Sequence, residues 1–227
     1  MTSPHAASPG EGAQPPLLVG VAGGSGSGKS TLCRALIVAL GAERVALLSH
    51  DAYYRDRSAL PAAARDSLDY DRPDALDQSL FLAHLTALRA GAAVESPSYD
   101  FTTHRRIGVG PAVAPRSIIL VEGILLLCDP IVRVALDLSI FLHAPERLRL
   151  QRRLARDTTE RGRTSESVLV QFQMTVRPAH AWWVEPCQEL ADLVLSTAGP
   201  IEPLAEIAAR VITDRLARRA AFRTGAA

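Results

Sequence analysis

The stretch VAGGSGSGKSTL, Val21 to Leu32, holds Gly23, four residues, Gly28, Lys29 and Ser30, the pattern G-x-x-x-x-G-K-[ST] of a phosphate-binding P-loop. It constrains the fold more than any other feature, because such a loop works only between a strand and a helix. Glycines let the backbone turn so that successive N–H groups point at phosphate oxygens, and the following helix adds its positive N-terminal end. Both flanks are present. "LLVGVA" (Leu17 to Ala22) reads as a strand, and Leu32, Leu36, Ala39 and Leu40 fall at helical spacing before a stop at Gly41. Gly23, Gly24, Ser25, Gly26, Ser27, Gly28, Lys29, Ser30 and Thr31 are therefore expected to cradle a nucleotide's phosphates, with the Ser30 hydroxyl offered to Mg²⁺. Lys29 is the only lysine beside 24 arginines. A compact amine on a thin stem can thread past the loop to the β and γ phosphates, where a planar guanidinium would not fit.

Beyond this loop, short apolar runs alternate with helical patterns, the signature of a parallel sheet covered by helices. "RVALLS" (Arg44 to Ser49), "SIILVEG" (Ser117 to Gly123), "LSIFLH" (Leu138 to His143) and "LVLS" (Leu193 to Ser196) supply the other strands. Leu76 to Ala90 is an amphipathic helix carrying Leu80, Leu82, Leu85 and Leu88 before Gly91, and Glu202 to Ala220 is another. The Pro- and Gly-containing segment 92–112 reads as a hairpin excursion. The predicted fold class is α/β, a P-loop NTPase-like five-stranded parallel sheet flanked by helices, with that hairpin and an arginine-rich helical lid at 146–176. One domain, 17–220, is expected between an N-terminal tail (1–16) and a C-terminal tail (221–227).

No apolar run approaches a membrane span, and Met1 to Pro16 lacks the cationic start and apolar stretch of a secretion signal. Cys33, Cys128 and Cys187 are odd in number and set among apolar neighbours, which suits reduced core thiols and a cytoplasmic protein. A net charge of +1 leaves no global field to draw nucleic acid or anionic lipid. Neither nucleic acid nor membrane is an expected partner. A GTPase would read guanine through N-K-x-D, which a chain whose only lysine is Lys29 does not contain. A nucleic-acid motor would want a basic track with aromatic platforms, and aromatics are only 5%. A small-molecule kinase remains.

Asp51, in "LLSHDAYYRD", stands just past the second strand, at the edge where open α/β sheets hold ligands. Its carboxylate can accept the proton of an attacking hydroxyl and touch a metal, or it can cap the next segment. Glu122 follows the apolar run "IILV", where many P-loop proteins place a metal-associated carboxylate. Arg147, Arg149, Arg152, Arg153, Arg156, Arg161 and Arg163 crowd "ERLRLQRRLARDTTERGR". Arg149, Arg152, Arg153 and Arg156 share a helical face. Such a face over a nucleotide would neutralise the migrating charge. Arg147 and Arg149 read as solvated; Arg156, Arg161 and Arg163, beside Gly162, read as functional. Of the adjacent Trp182 and Trp183, one is expected in the core and the other against the lid or a neighbouring subunit.

Taken in order, "GGSGSGKST", "SHDAYYR", "YDRPDALD", "SPSYDFTTHRR", "VEGILLL", "RRLARDTTERGR" and "QFQMTVRPAHAWWVEPCQELAD" resemble the phosphoribulokinase/uridine kinase family, over about Leu17 to Leu195. The resemblance implies transfer of the γ-phosphate of ATP or GTP, with Mg²⁺, to the 5′-hydroxyl of uridine or cytidine. It implies Asp51 as catalytic base working with Lys29, and Ser30, Asp51 and Glu122 at the metal. By the same similarity Asp71 and Arg153 hold the ribose diol, while Tyr99 and His104 read the pyrimidine edge. Tyr54, Tyr70, Phe101, Arg163 and Gln171 complete the acceptor pocket, and Arg156 and Arg161 face the phosphates. A homo-oligomer, a tetramer in the family's habit, is also implied. The residue types suit the chemistry: a diol offers two donors to a carboxylate, and leaving a buried Asp71 unpaired against a deoxy sugar would cost about 1–3 kcal/mol. One departure stands out. After "ADLVLS" the chain runs "TAGPIEP", with Pro200, where the family usually has a polar loop near the donor base. A sibling kinase acting on ribulose 5-phosphate and a silent nucleotide-binding regulator are the alternative readings.

Overall fold

In the computed structural model, which describes residues 14–66 and 68–224, every residue of β1 (Leu17–Gly23) is buried. A strand covered on both faces belongs at the centre of a sheet with helices above and below. After β1 come α1 (Lys29–Leu40), β2 (Val45–Ser49), α2 (Ala62–Asp66), α3 (Gln78–Arg89), β3 (Val94–Asp100), β4 (Arg105–Val113) and β5 (Ile118–Gly123). Then follow α4 (Pro130–Ala135), β6 (Leu138–His143), α5 (Glu146–Glu160), α6 (Ser165–Gln171), α7 (Arg177–Ala179), β7 (Leu193–Ser196) and α8 (Glu202–Thr224).

Five strands form one parallel sheet in the order β2-β5-β1-β6-β7, as the alternation of apolar runs and helices predicts. Successive residues of β1 point to opposite faces, and so do those of β5. Leu17, Val19, Val21, Ile118 and Leu120 pack with Leu32, Leu36 and Leu40 of α1 and with Ala208 and Ile212 of α8. Leu18, Ala22, Ile119 and Val121 pack with Phe81, Leu85 and Leu88 of α3. In α1 the fourth core position is Cys33, and the Ala39 of the predicted stripe is exposed. In α3 the deepest side chain is Phe81, and the helix starts at Gln78 because the Asp77 carboxylate caps it, accepting from the Leu80 N–H at 3.3 Å.

β3 and β4 pair antiparallel as a separate hairpin, set within the predicted excursion. Arg106 ties it down, donating to the Tyr54 carbonyl at 3.0 Å and facing Asp77 at 3.5 Å. Helix α6 continues through two π turns, Phe172–Val176 and His180–Val184, on either side of α7 and ends in a 3₁₀ turn at Glu185–Leu190. These turns change the helical phase, so Val176, Ala179, Val184 and Cys187 line the buried side. Trp182 and Trp183, of which one was expected in the core, are both exposed, at 77% and 41%. Helix α8 runs four residues past the expected Ala220, into the expected C-terminal tail. The N-terminal tail up to residue 13, and residues 225–227 of the C-terminal one, lie outside the described residues. No helix among the described residues is long and apolar enough to cross a membrane.

Candidate active site

Strand register brings the chemistry to one edge. Glu122 at the end of β5 pairs with Val21 of β1 on one side and Ser49 of β2 on the other, so the P-loop, Asp51 and Glu122 all leave the sheet's carboxyl side together. β1 has β5 on one flank and β6 on the other, and the crevice above such a switch point is where open α/β sheets hold ligands.

In the cradle, the buried Lys29 Nζ donates to the carbonyls of Gly23 at 3.0 Å and Gly24 at 3.1 Å. Burial pulls its ammonium below the ordinary range, while Asp51 and then Glu122 pull it back up. The Ser30 hydroxyl donates to the Glu122 carboxylate at 2.8 Å, and Glu122 is held above the usual carboxylate range chiefly by burial. Asp51 sits in the 3₁₀ turn His50–Tyr53, makes no cap bond, and accepts from the Ile124 N–H at 3.4 Å. Gly26, Gly28, Lys29, Ser30, Thr31, Asp51, Glu122, Arg156 and Arg161 line one continuous cleft. Gly23, Gly24 and Ser27 are buried behind it.

The loop is pressed onto α5. Gly26 has φ 78°, and a Cβ there would lie 2.3 Å from the Arg149 carbonyl oxygen, so only glycine fits. Arg149, expected in solvent, is 3% exposed, and its guanidinium and the His180 ring lie against Gly24. Burial first, then Arg149, pushes the His180 imidazole down to about 4, which keeps it uncharged behind the loop. On the other side Thr197, the first residue of the departing segment, donates to the Ser27 carbonyl at 2.8 Å. Arg152 donates to the Thr197 carbonyl at 2.9 Å. A threonine and an arginine thus brace the cradle where that segment lacks the polar loop usual in the family.

A second cavity adjoins the cleft through Lys29, Ser30, Asp51, Phe101, Arg156 and Arg161 and is lined further by Ser25, Tyr54, Tyr70, Asp71, Tyr99, His104, Ile124, Arg153, Arg163 and Gln171. Every acceptor-side residue expected from the sequence meets here. Tyr70 and His104 stack at 4.3 Å with an interplanar angle of 8°, and His104 adopts φ 53°, unusual for a residue with a side chain. Tyr99 sits 5.2 Å from both Tyr54 and Phe101, and the Arg161 guanidinium lies 4.6 Å above the Phe101 ring. Asp71 is 9% exposed; burial, opposed by Arg153, raises its carboxyl to about 6. Arg153 donates to Ser25 Oγ and Gln171 Oε1, each at 2.8 Å, and Arg163 also donates to Gln171.

Asp157, which the sequence reading passed over, organises the lid. Its carboxylate is fully buried and faces Arg156 at 2.8 Å, Arg153 and Arg161 at 3.4 Å, and Arg163 at 3.8 Å. Gly162, at φ 62°, reverses the chain so that the Arg163 N–H returns to the Asp157 carbonyl at 3.1 Å. Four guanidiniums share one carboxylate, so the cluster keeps a surplus of positive charge facing the cleft. Such a surplus suits a polyphosphate. The i, i+4 spacing of Arg153, Asp157 and Arg161 was the available signal.

Ser30, Asp51 and Glu122 offer the hard oxygens that Mg²⁺ takes together with phosphate and water. Among the described residues no group of three or more His, Cys, Asp and Glu side chains forms a cage of its own. The Ser30, Asp51 and Glu122 oxygens fit the hard-oxygen preference of Mg²⁺.

Comparison with known proteins agrees with this geometry. The sequence profile described as Phosphoribulokinase / Uridine kinase family matches residues 18–201. Among similar proteins, the uridine kinase of Chloroflexus aggregans is 45% identical over 184 residues, covering 81% of this chain and 88% of its own. That of Deinococcus deserti is 43% identical over 199 residues, covering 87% and 96%. The solved phosphoribulokinase from Rhodobacter spheroides superposes with TM-score 0.58 over 81% of this chain and 71% of its own, at 14% identity, a likeness of fold.

Proposed function

The chain belongs to the phosphoribulokinase/uridine kinase family, and from that premise we propose that it is a uridine kinase. It transfers the γ-phosphate of ATP or GTP to the 5′-hydroxyl of uridine or cytidine, a cytoplasmic step of pyrimidine salvage. The observation that carries this reading is the continuity of cleft and cavity. Lys29 and Asp51 border both, while Asp71 and the Tyr70–His104 pair line only the acceptor side. A phosphorylated acceptor such as ribulose 5-phosphate would need cations where Asp71 and Tyr99 stand.

Phosphoryl transfer asks mostly for alignment and charge stabilisation. The P-loop N–H groups and Lys29 hold the β and γ phosphates. Arg156 and Arg161, kept in place by Asp157, meet the charge on the migrating group. Asp51 accepts the proton of the attacking hydroxyl. Ser30, Asp51 and Glu122 would hold Mg²⁺, which when bound offsets charge on the triphosphate. Asp71 accepts from the ribose diol, with Arg153 beside it, and Tyr99 and His104 meet the pyrimidine edge. A single kinase domain starting at residue 17 and including α8, and homo-oligomeric assembly, as a tetramer, belong to the same proposal.

The test is transfer of labelled γ-phosphate from ATP and from GTP to uridine, cytidine, deoxyuridine, adenosine and ribulose 5-phosphate. Labelled UMP and CMP are expected, with deoxyuridine roughly 10-fold poorer or worse. Label on ribulose 5-phosphate alone would favour the sibling kinase. Nucleotide binding with no acceptor-dependent ADP release would favour a silent regulator.

A further inference from the structure

Two of the chain's three cysteine thiols meet on the α3 face of the sheet. Cys128 Sγ and Cys187 Sγ lie 3.7 Å apart although 59 residues separate them, and both reach the Trp183 carbonyl, at 3.0 and 3.1 Å. All three cysteines are free thiols, as their number and apolar neighbours suggest, and the fold brings two of them together and leaves Cys33 on the opposite face of the sheet. Cys128 is half-buried in the segment after β5, and Cys187 is 5% exposed in the 3₁₀ turn closing the long helical run. Arg133 donates to the Leu127 carbonyl at 2.6 Å and the Cys128 carbonyl at 3.3 Å, which parks a cation beside the pair. The contact between the two sulfurs is the main influence holding the Cys187 thiol below its ordinary range, with burial opposing it and Arg133 adding to it, and the same contact together with burial pushes the Cys128 thiol up. A buried thiol in apolar surroundings is inert, whereas one with a partner sulfur and a nearby cation is poised for oxidation.

We propose that Cys128 and Cys187 are a modification site, forming a reversible intramolecular disulfide when the protein meets a hydroperoxide. One thiolate of the pair attacks the peroxide, the O–O bond breaks, and the departing alkoxide or hydroxide takes up a proton. The sulfenic acid so formed is attacked by the other sulfur; the S–S bond forms, the S–O bond breaks, and the hydroxide leaves as water with the second thiol's proton. Two thiols are oxidised and one peroxide is reduced. The bond would tie the segment after β5, whose Ile124 N–H meets Asp51, to the end of the helical run that includes Gln171.

Hydrogen peroxide treatment of the full chain, alkylation of remaining thiols and peptide mass analysis test this. A Cys128–Cys187 linked peptide lacking two hydrogens is expected, with Cys33 alkylated, full reversal by dithiothreitol, and a Tm no lower than that of the reduced protein. Cys33→Ser should retain the link, and Cys128→Ser and Cys187→Ser should each abolish it. Untouched thiols, separate sulfenic or sulfinic acids, links between chains, or a linked form that melts below the reduced one would each overturn the proposal.

Discussion

The cradle from Gly23 to Thr31 is one unbroken stretch whose working groups are largely backbone, clamped between the end of β1 and α5. The acceptor cavity works through side chains: Tyr54 from a turn, Asp71 from a loop, Tyr99 and His104 from the hairpin, Arg153 from α5 and Gln171 from α6. Backbone groups recognise what every nucleoside triphosphate shares, so the donor half needs no side chain that reads a base. Side chains on separate segments distinguish one sugar or ring from another, and each can change without disturbing the sheet. Lys29 and Asp51 border both halves, so loss there should look unlike loss on either side.

Asp51→Asn carries the largest expected effect. Turnover should fall roughly 10²- to 10⁴-fold while calorimetric affinities for ATP and for uridine, each measured alone, stay close to wild type. Undiminished turnover would remove Asp51 from the base role and dissolve the boundary between the halves. Asp71→Ala comes next. It should lower kcat/KM for uridine about 10- to 200-fold with little change in ATP affinity; the reverse pattern would place Asp71 on the donor side. The smallest effect is a pH dependence confined to the acceptor half. With its carboxyl raised to about 6, Asp71 is ionised at neutral pH and becomes protonated as pH falls. The ionised form accepts from the diol, so uridine affinity measured without nucleotide should weaken about 5-fold from pH 6 to pH 5. Asp71→Asn should flatten that profile, and a wild-type profile already flat would show that Asp71 does not titrate at the site.

The same contrast explains what could be read from the chain. The P-loop and the strands Leu138–His143 and Leu193–Ser196 are contiguous patterns with local causes, and the structure has those strands at the expected residues. Arg149 was misread because helical spacing tells which residues share a face and not what that face meets; here it meets Gly24 and Gly26. Asp157 looked like one acid among arginines until the reversal at Gly162 brought Arg161 and Arg163 back to it. One of the two tryptophans was expected in the core because adjacent helical residues face different ways, yet the π turns change the helical phase and both are exposed. The hairpin aromatics were legible by resemblance, since nothing in their spacing makes Tyr70 and His104 stack.

Because Lys29 is the sole lysine, the chain carries a single ε-amine, and burial lowers that group's affinity for protons. Its nitrogen donates to the Gly23 and Gly24 carbonyls, buried behind the mouth of the cradle. An acylating reagent small enough to enter would therefore mark one side chain, and its rate of labelling would count how many molecules have that mouth open at any moment.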